Sequence, residues 1–218
     1  MNKKAIKLSV LAIALSSNMA MAAKKPAAGS DVDAFIDGLD KSLTLTSNYV
    51  WRGQSASLGA PAVQGGATYN HDSGVSVDFW LSSSAASVIT NEYDITVSYA
   101  QQTKDFGYEA GIISYSYPQV DGGGFHEFFG GINVKNMNAY LYIGKDSADD
   151  DNTYIELSAD INRFNIALGV NSNDIDAKSY NQVTATVGLT KDLSLGVSQS
   201  DLDGDDTQWA LTYSVPLK

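Results

Sequence analysis

The chain contains no cysteine. That excludes disulfide frameworks, thiolate metal sites and cysteine nucleophiles together. Histidine is almost as scarce, with His71 and His126 the only two, so imidazole catalysis has few places to live. No Gly-rich phosphate cradle and no metal-ligand spacing occurs, and no cofactor is expected. Basic charge is short: 14 Lys and Arg stand against 25 Asp and Glu, a net charge of −11. A general nucleic-acid binder needs a basic stripe and is excluded. Charged residues are only 18% of the 218, below the roughly 25% of ordinary soluble domains. Beyond the N-terminus no apolar run approaches the ~18 residues of a spanning helix. What is plentiful is Gly (19) and Tyr (12), a composition that points to β structure.

The N-terminus reads as an address. Lys3, Lys4 and Lys7 form a basic start, residues 8–15 a short apolar stretch, and Ala20-Met21-Ala22 a small-x-small cleavage site. This order is that of a secretory signal peptide over residues 1–22. Its loss removes three lysines and no acid, leaving the exported chain more acidic still. Residues 23–42 form a periplasmic N-terminal segment. Ser30 with Asp33 makes a weak capping box ahead of a short helix that Gly38 could end. A plug and a frayed tail are the two readings.

From Leu43 the apolar residues recur every second position. Leu43, Leu45, Tyr49 and Trp51 share one face, opposite Thr44, Thr46, Asn48 and Arg52. Val75, Val77, Phe79 and Leu81 oppose Ser76, Asp78, Trp80 and Ser82; Tyr93, Ile95, Val97 and Tyr99 oppose Glu92, Asp94, Thr96 and Ser98. The same rule runs to Val215 and predicts about twelve strands. Segment 106–117 is ambiguous in register, because Ile112 and Ile113 are adjacent. Alternation alone fits a soluble sandwich as well as a barrel. The polar face decides between them: it holds Ser, Thr, Asn, Gln and Gly where a soluble surface carries Lys and Glu, which is the pattern of a wet lumen behind a lipid-facing wall.

Connection lengths agree. Long ones (53–60, 83–90, 118–125, 145–152, 171–179, 201–206) alternate with short ones (70–74, 101–105, 135–136, 161–162, 191–192), as in an up-and-down meander with short periplasmic turns. Tyr49, Trp51, Tyr93, Phe128 and Trp209 fall at the outer ends of apolar faces, and Tyr69, Tyr99, Tyr108, Phe164 and Tyr213 at the inner ends, giving two interfacial belts. The predicted fold is therefore all-β: an antiparallel up-and-down transmembrane β-barrel over residues 43–218. Twelve strands fit the length, with ten or fourteen as alternatives. Open edges are excluded because unpaired backbone groups in lipid are costly.

This register aims Arg52, Asp78, Glu92, Asp94, Glu109, Glu127, Glu156 and Asp160 into the lumen, with Trp80, Tyr115, Tyr140, Tyr142 and Tyr154. One positive charge against seven negative ones favours cations in a narrow pore. Arg52 is expected to pair with a lumen carboxylate, as a selectivity element or as a strut. The aromatics are either a stacking track for solutes or simple filling. His71-Asp72-Ser73-Gly74 superficially suggests a hydrolase but reads as a tight turn. The Asp-rich run 201–206 reads as a solvated loop, since its Gly is misplaced for a calcium loop.

The stretch Ser47-Asn48-Tyr49-Val50-Trp51-Arg52-Gly53-Gln54-Ser55, with Pro61-Ala62-Val63-Gln64-Gly65-Gly66 after it, resembles the TorF-type porin family of proteobacterial outer membranes. The likeness is in motif to about Ser82 and in texture beyond. It implies an outer-membrane channel of a Gram-negative bacterium. The chain departs from many such barrels by ending Val215-Pro216-Leu217-Lys218 rather than in the aromatic residue that the barrel-assembly machinery reads. The expected function is a porin-like channel for passive diffusion of small solutes, cation-preferring, with no enzymatic activity. Its partners are outer-membrane lipid and lipopolysaccharide, the assembly machinery and small solutes. The alternative is a non-conducting structural or adhesive barrel whose acidic loops bind ions.

Overall fold

A strand that is apolar on alternate positions can satisfy its backbone in lipid only if the sheet closes on itself. The computed structural model shows this closure; it describes residues 38–83, 91–119, 124–145, 151–173, 179–202 and 204–217. Twelve strands form one antiparallel barrel in meander order: β1 (Asp40–Thr46), β4 (Ala62–Asn70), β5 (Val75–Ser83), β6 (Asn91–Gln102), β7 (Phe106–Ser116), β8 (Gly124–Val134), β9 (Met137–Lys145), β10 (Asp151–Ile161), β11 (Phe164–Asn173), β12 (Tyr180–Gly188), β13 (Leu193–Ser200) and β14 (Gln208–Ser214). Two short strands, β2 (Val50–Trp51) and β3 (Gln54–Ser55), pair as a separate hairpin inside the connection from β1 to β4. The barrel closes through β1 and β14, where Thr44, Leu45 and Thr46 stand opposite Ser214, Tyr213 and Thr212.

The outer wall is a continuous apolar surface. Phe79, Ile95, Val97, Leu157, Leu168, Val183 and Leu211 are each between 40% and 54% exposed. A soluble monomer does not present an apolar surface of this extent, and a lipid-facing wall does. Tyr69, Tyr99, Tyr108, Phe164 and Tyr213 are exposed on this wall toward the short-turn end, where Tyr99, Tyr108 and Phe106 form consecutive ring contacts. Phe128 and Trp209 are exposed toward the opposite end. Two members of the expected outer belt are not there. Tyr49 is buried and Trp51 largely so, because the chain leaves the wall after Thr46 and carries both rings inside the barrel.

Three further expectations shift. Residues 43–52 are not one strand; β1 runs from Asp40 to Thr46, so the barrel begins inside the segment 23–42. The helix or plug expected there, like the signal peptide, lies outside the described residues. The ambiguous strand resolves with Ile113 inward and Ile112 on the outer side, since Ile113 is 3% exposed and packs with Tyr115, Phe129, Tyr140, Tyr142 and Tyr154. The turn after β10 is Asn162-Arg163, one residue later than expected, with Asn162 in the left-handed region that Asn tolerates.

Candidate functional site in the barrel lumen

The connection from β1 to β4 folds into the barrel rather than over it. Its tip is a two-residue turn, Arg52-Gly53, between Trp51 and Gln54, which face each other across the hairpin. Both turn residues have positive φ, +46° and +85°, as a tight hairpin of this handedness requires. Glycine is needed at Gly53 for a second reason: a Cβ there would stand 2.4 Å from Gln182 Oε1 on β12. The base of the hairpin is tied by hydroxyls and amides. The Tyr49 amide donates to Ser57 Oγ, Ser55 Oγ donates to Asn48 Oδ1, and Asn48 Nδ2 donates to Gln208 Oε1 on β14. Gln54 Nε2 reaches Asp205, which also accepts from Ser200 Oγ.

Arg52 is thereby carried across the lumen to the far wall. Its two terminal nitrogens donate to the two oxygens of Glu127 on β8, at 2.8 and 2.7 Å. Both side chains are shielded, Glu127 completely. The Tyr115 hydroxyl donates to the same carboxylate at 2.9 Å, and the Tyr180 hydroxyl donates to the Arg52 carbonyl. The guanidinium carbon lies 4.2 Å from the Tyr154 ring centre, 5.1 Å from that of Tyr142 and 4.4 Å from that of its neighbour Trp51. A planar, delocalised cation suits this surround, since it can be forked to a carboxylate and stacked on rings at once.

The remaining inward side chains divide by wall. Asp78 lies on β5, Glu92 and Asp94 on β6, Glu109 on β7, Glu127 on β8, Glu156 and Asp160 on β10. Trp80, Tyr115, Phe129, Tyr140, Tyr142 and Tyr154 occupy the same arc. Phenols serve the carboxylates: Tyr117 donates to Glu92, Tyr140 to Glu109 and Tyr154 to Glu156. Asn165 donates to Asp160 and Thr68 to Asp78. Asp94 is buried with neither oxygen bonded among the described residues. Beyond the end of β7, burial and then the nearby Glu92 hold the Tyr117 hydroxyl well above the ordinary phenol range, so it stays a donor. The other arc, β11 to β14 with β1 and β4, carries Thr46, Gln64, Gln182, Thr184, Ser194, Ser198 and Thr212, and among the described strand residues its one inward-face carboxylate is Asp40, exposed at the short-turn rim where Asn70 donates to it.

Glycines seat the rings on the acidic wall. A Cβ on Gly131 would meet the Tyr140 ring at 2.2 Å, and one on Gly111 the Phe129 ring at 2.7 Å. The chain can lay aromatic rings flat against the wall only where the facing strand has no side chain. His71 and Ser73 do touch, at 2.8 Å, but within the exposed turn from β4 to β5, closed by Gly74 at φ +95°. Among the described residues no group of three or more metal-ligating side chains is gathered. At the rim, Asp201 accepts from the backbone and side-chain nitrogens of Asn181, which hold its carboxyl below the usual range.

A bacterial family described as "Bacterial protein of unknown function (Gcw_chp)" matches residues 37–215. The chain belongs to this family. The Gcw_chp match therefore spans the barrel from its first strand to the residue after its last. No curated protein matches the sequence significantly. Among solved structures the Gcw_chp barrel is similar to a "KdgM porin", with TM-score 0.54 and 8% identity over 83% of this chain and 99% of that one. It is also similar to a "KdgM porin in complex with disordered oligogalacturonate", with TM-score 0.51 and 9% identity over the same shares, 83% and 99%. At such low identity the likeness bears on the fold alone: a closed twelve-stranded antiparallel barrel.

Reasoning from alternation assigned each inward residue a face but missed the hairpin and the partners it brings together. Nothing in the alternation marks Tyr180 or Gln182 as neighbours of the hairpin, and Asp205 lies in the run 201–206 that reads as a solvated loop. The available signal was Arg52-Gly53 itself, a glycine in the second position of a two-residue turn.

Proposed function

We propose that the protein is an outer-membrane channel of a Gram-negative bacterium that passes small solutes by diffusion and prefers cations. The observation that supports this most is the segregation of Asp78, Glu92, Asp94, Glu109, Glu127, Glu156 and Asp160 onto one arc of the lumen, with a single inward arginine, Arg52, against them. Low-dielectric walls focus such a field on whatever occupies the pore. These residues, with Trp80, Tyr115, Tyr140, Tyr142 and Tyr154, are the pore lining in this reading, and Arg52 is its constriction. The TorF-type porin label is the finer family reading. Lipid, lipopolysaccharide and the barrel-assembly machinery are the partners that go with an outer-membrane barrel.

One of the similar porins is solved with oligogalacturonate, a polyanion. An acid-lined lumen repels a polyanion, so the solutes proposed for this barrel are neutral or cationic. A planar-bilayer recording in a salt gradient tests the reading. Discrete conductance steps with a reversal potential toward the cation equilibrium value are expected; an anion-directed potential defeats the preference. A second reading has its own support. The hairpin and the tyrosines fill the end of the lumen nearest the long loops, as a non-conducting structural barrel would require. Its signature is a folded, heat-modifiable barrel that gives no current.

A further inference from the structure

Arg52 and its partners stand on different kinds of backbone. The guanidinium sits on a loop, at a turn position where Asn, Asp or Gly is the usual choice. The groups that receive it belong to the wall: Tyr115 on β7, Glu127 on β8, Tyr142 on β9 and Tyr154 on β10. Glu127 is wholly shielded, and its second oxygen is held by the Tyr115 hydroxyl at 2.9 Å. Rings stand at 4.2 and 5.1 Å from the guanidinium carbon. The π faces attract cations in general; the two carboxylate oxygens, set to accept a parallel pair of N–H donors, are what select a flat, forked cation over a compact or bulky one.

We infer that Glu127, Tyr115, Tyr142 and Tyr154 form a binding site for planar organic cations, those bearing guanidinium or amidinium groups, and that Arg52 is its tethered occupant. A free cation of this class competes with Arg52 for the same four side chains. The inference deepens the channel reading by naming the solute class, and it rests on that reading only for the entry of solute from outside.

The test uses the full chain refolded in detergent, with methylguanidinium as probe and trimethylammonium as a cation of equal charge and different shape. Arg52→Ala vacates the site. Methylguanidinium is expected to raise the unfolding temperature of this variant saturably, as a ligand of the folded state must, while trimethylammonium leaves it unchanged at equal ionic strength. The response disappears in Arg52→Ala with Glu127→Gln, and the wild type needs at least tenfold more methylguanidinium for the same shift. Equal responses to both cations, no response, or a response that survives Glu127→Gln overturns the inference. If Arg52→Ala refolds only with methylguanidinium present, the site is supported; if it refolds under neither condition, the inference fails, because a vacant site that takes the cation restores the fold. Thermal stability does not depend on conduction, so a stabilised but non-conducting barrel sinks the channel reading alone.

Discussion

The two halves of the lumen are built by opposite means. From β5 to β10 the inner wall is made of carboxylates and large rings, and its glutamates are held by phenols and one guanidinium. From β11 through β14 to β1 and β4 it is made mostly of hydroxyls and amides, some of which pair with one another, as Thr184 does with Ser198 and Thr46 with Thr212. The hairpin spans the gap, rooted in the neutral half through Gln208 and Tyr180 and delivering its charge to the acidic half at Glu127. The difference teaches that one half carries the field and the other carries the anchor. Neutral hydrogen bonds position a group with little electrostatic consequence, whereas a shielded ion pair is cheap only while both partners stay.

The largest expected effect comes from breaking the crossing at its charged end. Glu127→Ala leaves a shielded guanidinium unpaired and should cost about 3–5 kcal/mol. Gln208→Ala, at the neutral end, removes two neutral hydrogen bonds, the one from Asn48 and an exposed one to the Asp206 carbonyl, and should cost about 1–2 kcal/mol. Urea unfolding in detergent gives both numbers, and equal losses would erase the distinction between field and anchor. Next come the glycines. Gly131→Ala drives a methyl into the Tyr140 ring, 2.2 Å away, at roughly 1–3 kcal/mol. Gly188→Ala, in the neutral half, meets nothing closer than 3.7 Å and should be within about 0.5 kcal/mol of wild type.

A third change leaves stability nearly alone and moves ions. Replacing Asp78, Glu109 and Asp160 by their amides should shift the reversal potential toward zero, while Thr184→Asn and Ser194→Asn in the other half leave it in place. The smallest effect lies at the rim. Asp201 has a folded pKa below its unfolded one because Asn181 donates to it twice. Its contribution is fully present above the unfolded value of about 3.9 and is lost as pH falls through the depressed folded value. Asn181→Ala removes the side-chain donor and keeps the amide, so it should weaken that dependence of the unfolding midpoint between about pH 5 and pH 2, and an unchanged acid limb would show that the side-chain contact contributes nothing.

Much of this arrangement was legible before any coordinates. Strand number, the alternation of long and short connections, and the inward aim of Asp78, Glu92 or Tyr142 follow from a period of two, because that period is the face assignment itself. The hairpin escaped for the same reason. Tyr49 and Trp51 continue the alternation of Leu43 and Leu45, so the pattern runs on smoothly where the backbone turns inward. Arginine at a position where Asn is usual then hid the turn that Gly53 marks. That Arg52 pairs with a lumen carboxylate was legible; that the partner is Glu127 was not, since it depends on how far a loop reaches across a closed cylinder. The clustering of acids on one arc was within reach: they all lie between residues 78 and 160, and a meander keeps neighbours in sequence as neighbours in space.

The closure between β1 and β14 has its own consequence. It is held by three residue pairs, against seven between β1 and β4 and eleven between β7 and β8. A cylinder with one short junction has a preferred place to unzip, and the same place to be completed last when the sheet is rolled up in the bilayer. Stapling that junction with a cross-link should therefore slow unfolding more than the same staple placed anywhere else around the circumference.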